Sequence, residues 1–159
     1  MVNTFLPYAD FEKTAKALDY KRLGKQRVEA HQIINILTYP SHYKGWKNHP
    51  AVLMWVGHLP YLKQYYNAIV KEWIKRGYNN NMTLYKKSEL KTNKLQPWWL
   101  GFPPLHKAYR ASLLRKDPKH YSKYFTVSDK YLQYSYVWPT KIPSQTIKMI
   151  QEKKKNLSK

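Results

Sequence analysis

LDYKRLGKQRVEAHQIINIL, residues 18–37, decides the fold. At 100° per residue, Leu23, Ala30, Ile34 and Leu37 fall on one stripe that must face a core. Arg22, Lys25, Glu29 and Gln32 form the neighbouring stripe, close enough in spacing for their side chains to touch. Two such stripes side by side specify an amphipathic helix. Gly24 is its weak point, since a mid-helix glycine costs on the order of 1 kcal/mol relative to alanine. Either the helix breaks there, or close approach of another backbone makes the missing side chain useful.

Working outward from that stretch, Asp10 is read as an N-cap for a helix that begins near Phe11 and runs to about Leu37. The segment before it, to about Pro7, is expected to be extended, because Pro7 disfavours a helical Leu6. Residues 39–48 read as a loop. His49-Pro50 opens a second helical region, which Pro60 divides into 50–58 and 60–76 and Gly77 closes. Residues 78–95 are polar and aperiodic, a long surface loop or a short helix. Trp98 to Phe102, bracketed by prolines, read as an aromatic plug for a core, and a further helix is expected from Leu105 to about Leu114. The rest is Tyr-rich irregular chain through Trp138-Pro139, followed by a lysine-rich tail. With no repeat and no strand alternation, the fold class is all-α: one compact helical domain with long irregular connections over residues 1–140, and a basic tail over 141–159.

Lys and Arg number 29 against 9 Asp and Glu, a formal charge of +20. That repulsion calls for a polyanionic partner, and nucleic acid is the commonest. A ribosome-like structural role and binding to an anionic membrane surface are the alternatives; spanning a bilayer is disfavoured because no apolar run approaches about 18 residues. A hydrophobic content of 43% and an aromatic share of 16% argue against a disordered polycation. The absence of cysteine excludes disulfides, thiolate chemistry and cysteine-type zinc sites. The opening MVNTFLPYADFEK lacks the basic and apolar regions of a signal peptide, so a cytoplasmic, nucleoid or nuclear setting is expected rather than secretion.

Chemistry is sought on the polar stripe of residues 18–37. Glu29 is one carboxylate amid cations, at a helix edge beside the core. By spacing alone an ordinary ion pair with Lys25, worth a few tenths of a kcal/mol, is the simpler reading. His31, His49, His58 and His106 are candidates for phosphate or sugar contact, without metal-ligand spacing. The fifteen tyrosines offer stacking platforms for unpaired bases, although many must serve the core.

Four stretches carry a family resemblance. Residues 48–78, NHPAVLMWVGHLPYLKQYYNAIVKEWIKRGY, resemble the second helical region of the pyrimidine-dimer DNA glycosylases of the endonuclease V type, with WIKRGY (73–78) a close echo. LDYKRLGKQRVEAHQI (18–33) resembles their first helix. PWWLGFPPLHKAYRASLLRKDPKHY (97–121) and YVWP (136–139) resemble a bacterial and viral branch of that superfamily. The resemblance implies a compact all-α glycosylase and abasic-site lyase acting on damaged double-stranded DNA. It would act as a monomer, without cofactor, metal or membrane.

By the same resemblance the nucleophile is the α-amino group of the mature N-terminus, here Val2 after loss of Met1, and Glu29 is the catalytic glutamate. An α-amine, with a pKa of about 7.7–8.0, is usefully neutral near pH 7. Arg22, Lys25 and Arg27 would hold flanking phosphates, with His49 favoured over His58 as the contacting histidine. His106, Arg110, Arg115 and Lys116 complete the expected DNA-binding set. The chain departs from the family in its β-branched Val2, in Val28 and Gln32 at positions usually cationic, and in a longer segment before the helix. That length leaves the distance from Val2 to Glu29 open. A non-catalytic DNA-binding or packaging protein of the same fold, and an RNA-binding protein using its tyrosines, are the competing functions.

Overall fold

The computed structural model describes residues 2–126 and 137–139. Among these residues the fold is all-α, with helices α1 (Phe11–Ala17), α2 (Tyr20–Thr38), α3 (Pro50–Leu53), α4 (Leu59–Lys75), α5 (Lys87–Leu90), α6 (Pro103–Lys116) and α7 (Pro118–Tyr121). Two short 3₁₀ turns, Pro40–His42 and Trp46–Asn48, occupy the expected loop. The proposed tail over 141–159, and most of the Tyr-rich stretch before it, lie outside the described residues.

The long N-terminal helix is two helices. Asp10 caps α1 as expected, accepting from the Lys13 N–H at 3.0 Å. The break falls at Leu18 and Asp19, where Leu18 turns extended and the Asp19 side chain caps α2 through the Arg22 N–H. Gly24 stays helical. Its missing side chain admits a neighbour, as the close-approach alternative required, but that neighbour is the Trp73 ring rather than a backbone.

Helix α4 packs across both α1 and α2. It buries Leu62, Tyr65, Tyr66, Ile69, Val70 and Trp73, a stripe at helical spacing. From α2, Leu23, Ala30 and Ile34 meet it as the wheel predicts, joined by Ile33 and Ile36. Trp55 and Trp99, both wholly buried, meet edge to face at 4.8 Å, so the aromatic stretch before α6 does plug the core. Gly77 ends the α4 region with a φ of +87°, a left-handed conformation that suits glycine.

The segment from Val2 to Pro7 is extended and runs through the interior. Buried peptide groups need partners, and here no sheet supplies them. Side chains do so instead. Phe5 N–H donates to Gln26 Oε1 at 3.0 Å, and Tyr65 O–H donates to the Phe5 carbonyl at 2.9 Å. Gln26 Nε2 donates to the Asn3 carbonyl at 3.0 Å. His106 Nδ1 lies 2.7 Å from the Leu6 carbonyl, and the Arg110 guanidinium donates to the Pro7 carbonyl at 2.7 Å. Residues from α2, α4 and α6 thus thread one buried strand of chain past α2.

Candidate active site

Helix α2 carries the site because its solvent side faces an open cleft of about 640 Å³. Its lining includes Asn3, Phe5, Arg22, Glu29 and Lys116. Tyr20, Gly24, Arg27 and Trp73 line it too, together with Lys21 and Lys25. The structure therefore brings together Glu29, Arg22, Lys25, Arg27 and Lys116 of the expected set.

Glu29 is half-buried and its carboxylate is bound from within. Gln26 Nε2 donates to it at 2.7 Å, and the same nitrogen donates to the Asn3 carbonyl at 3.0 Å. Burial raises the Glu29 pKa above its ordinary value. Lys25, the N-terminal ammonium, the bond from Gln26 and the Asn3 peptide dipole pull the other way without cancelling that rise. A carboxyl so placed holds and releases a proton nearer neutrality than a free one. The ordinary Lys25 ion pair does not describe it, since the salt bridges present in the described residues leave Glu29 out.

Arg22 is fixed from behind. It pairs with Asp19 at 3.1 Å, and Asp19 is held in turn by the Tyr121 hydroxyl of α7. Burial raises the Asp19 pKa, but hydrogen bonds from Tyr121 and Arg22 and the Arg22 charge outweigh it and hold the carboxyl below its ordinary value. Arg27 donates to Asn80 Oδ1 at 3.0 Å and lies over the Trp73 ring, 4.2 Å from its centroid.

Other expected residues lie elsewhere. His106 is buried, accepting from the Gly101 N–H at Nε2 while Nδ1 meets Leu6, so both ring nitrogens serve the interior. Burial and the neighbouring Arg110 charge lower its pKa despite the Leu6 bond. Arg110 holds Pro7, beside His106. His49 caps α3 by accepting from the Ala51 N–H at 3.1 Å and packs between Trp46 and Trp138, away from the cleft lining. Arg115 is exposed on the last turn of α6, and it too is outside the lining. Val2 is 8% exposed, so the core absorbs its β-branched bulk. Among the described residues no group of three or more His, Cys, Asp or Glu is placed to hold a metal ion, and no helix is long and apolar enough to cross a membrane.

Comparison with known families decides the kinship. The family model described as pyrimidine dimer DNA glycosylase matches residues 2–86, more than half of the chain. The chain belongs to the pyrimidine dimer DNA glycosylase family. No curated protein and no solved structure matches it. Family membership assigns the chain to DNA-repair glycosylases and makes DNA its partner. The glycosylase match covers the buried N-terminal segment and α1 through α4, hence every cleft residue except Lys116.

Sequence reasoning missed Gln26 and Asn3, which join the N-terminal segment to Glu29. A signal for Gln26 was present. On the wheel it falls between Ile33 and Leu37, a lone amide inside the apolar stripe, and a buried amide requires partners.

Proposed function

We propose that this glycosylase removes damaged pyrimidines from duplex DNA and then cuts the strand as an abasic-site lyase, with the Val2 amine as nucleophile and Glu29 as its acid–base partner. The carrying observation is the Gln26 amide, which donates to both the Glu29 carboxylate and the Asn3 carbonyl and so holds the residue next to Val2 beside that carboxylate. In this reading the neutral amine attacks the deoxyribose C1′ and the C1′–N bond breaks, its electron pair leaving with the base. Loss of the amine proton and ring opening give a Schiff base. Glu29 steadies the cationic sugar, takes a C2′ proton, and the C3′–O bond breaks to release the 3′ phosphate. Arg22, Lys25, Arg27 and Lys116 hold flanking phosphates along the cleft, and the damaged nucleotide leaves the stack to reach it.

Borohydride trapping tests the proposal on duplexes carrying a cyclobutane dimer or an abasic site. The expected result is a covalent adduct that maps to Val2, disappears when the N-terminus is blocked, and gives little strand cleavage in Glu29→Gln. An intact protein with a free Val2 amine that forms no adduct on either substrate rules the mechanism out. An adduct mapping to Lys21 or Lys25 moves the nucleophile to that lysine.

A further inference from the structure

Residues 39–56 carry a second surface, outside the cleft lining. Tyr39 is 57% exposed, Trp46 46%, Leu53 50% and Val56 56%. These are four of the nine large hydrophobic side chains left exposed among the described residues, gathered around two 3₁₀ turns and α3 rather than scattered singly. Core packing does not account for them, since Val52, Met54 and Trp55 of the same segment already fill that role. The surface is firmly built. Its turns close through the His42 N–H on the Tyr39 carbonyl at 3.1 Å, the His49 N–H on the Trp46 carbonyl at 3.0 Å, and the Val56 N–H on the Leu53 carbonyl at 3.1 Å. The His49 ring, fixed by the Ala51 N–H, meets Trp46 at 6.0 Å and Trp138 at 6.1 Å. Tyr39 stacks on His42 with planes 18° from parallel.

The charge of this segment has one sign. Lys44 and Lys47 flank Trp46 in sequence and are exposed, and the salt bridges among the described residues leave both out. No Asp or Glu occurs between Glu29 and Glu72. We propose that this surface docks an acidic segment of a partner protein, which lays an aromatic or large aliphatic side chain against Trp46, Leu53 and Val56 while its carboxylates meet Lys44 and Lys47. Exposed aromatic side chains on a preordered backbone are the usual anchors of protein interfaces. A second copy of the chain is a poor occupant, because two chains of +20 would set lysine against lysine with no carboxylate in the segment to pair them. DNA gains little from the aliphatic Leu53 and Val56, and Tyr39 lies about 15 Å along α2 from Glu29, so this surface is separate from the cleft. An anionic lipid surface is met by a long amphipathic helix, whereas α3 has four residues. The proposal is independent of the cleft chemistry.

The test is a phage-displayed library of random dodecapeptides, selected on the full-length wild-type protein and depleted on Trp46→Ala. The depletion removes peptides drawn merely to a basic chain. Peptides that carry several Asp or Glu around a Trp, Phe, Tyr or Leu are expected to be enriched. A synthetic peptide from that set should bind Trp46→Ala and Leu53→Ser about 30-fold more weakly than wild type. Its own variant with the apolar anchor changed to alanine should lose binding to a similar degree, and Lys44→Glu should weaken it further at low salt than at high salt. Affinity of Trp46→Ala and Leu53→Ser for a duplex with an abasic site should stay at the wild-type level. Thermal melts verify that the variants fold, and Val56→Ser replaces either one that does not. No enrichment over Trp46→Ala, or enriched peptides without acidic residues, overturns the proposal. So does a Trp46→Ala protein that keeps the peptide but loses affinity for duplex DNA or for vesicles of anionic phospholipid.

Discussion

The Gln26 amide donates to the Glu29 carboxylate at 2.7 Å, one helical turn away on α2. The same amide also donates to the Asn3 carbonyl, while its oxygen accepts from the Phe5 N–H and from the Tyr65 hydroxyl, whose one proton it shares with the Phe5 carbonyl. Every hydrogen-bonding position of this wholly buried side chain is engaged. Gln26 is thus a positioning residue that registers the N-terminal segment against the carboxylate. Gln26→Ala strands several buried polar groups and should cost about 3 kcal/mol or more in urea unfolding, with abasic-site cleavage lost beyond what unfolding explains. Gln26→Glu keeps the acceptors but sets a second carboxylate beside Glu29. It should move the acid limb of the cleavage profile to higher pH, and an unmoved limb would show that the amide does not tune Glu29.

The raised Glu29 pKa makes a stability prediction with a definite sign. Burial lifts the carboxyl above its ordinary 4.5 in the folded chain, so between the unfolded and folded values the native state binds more protons. Stability from this group is therefore lost as pH rises through that window. Glu29→Gln should melt slightly higher than wild type at pH 7, by less than about 1 kcal/mol because the group is half-exposed and screened, and the gain should shrink at pH 4. Melting curves at the two pH values check this. A gain that grows on acidification contradicts it.

How much of this was legible in the sequence depends on the range of the interaction. The core stripe of α2 repeats locally, so Leu23, Ala30 and Ile34 announce themselves. The break before α2 escapes a reading of one helix from Phe11 to Leu37, because Gly24 looks like the weak point whereas the effective signal is Asp19, a capping residue whose role shows only once α1 has stopped. The buried N-terminal segment has no periodicity at all. Its peptide groups are satisfied by Gln26, Tyr65, His106 and Arg110, between about twenty and a hundred residues away in sequence. For the same reason His106 and Arg110 read as surface cations, although their partners are the carbonyls of Leu6 and Pro7.

Gly24→Ala separates helix propensity from packing. An alanine there favours the helix by about 1 kcal/mol, but its Cβ would lie 3.0 Å from Trp73 Cζ3. Trp73 has little room to give, being fixed by Asn79 and covered by Arg27 and Tyr20. Overpacking of about 1–3 kcal/mol should outweigh the propensity gain, for a net loss of about 1 kcal/mol in urea unfolding. The tryptophan emission should change with it. A stabilised variant would mean that the Trp73 ring moves freely rather than being fixed by its neighbours.

Tyr121→Phe tests how α7 supports the cleft from behind. The wholly buried Tyr121 hydroxyl accepts from the Asp19 N–H at 3.0 Å and donates to the Asp19 carboxylate. Phenylalanine leaves both Asp19 groups short of a partner, at a cost of about 2 kcal/mol. Asp19 also holds Arg22 at 3.1 Å, so DNA affinity should fall modestly while Glu29 keeps its surroundings. The pH dependence is opposite to that of Glu29. The Asp19 pKa lies below its ordinary 3.8 in the fold, so its contribution is full above that value and is lost as pH falls through the folded pKa. The gap between wild type and Tyr121→Phe should therefore be widest near neutrality and narrow below about pH 4. A gap independent of pH would mean that the hydroxyl matters for packing alone, with no part in holding the charge that orients Arg22.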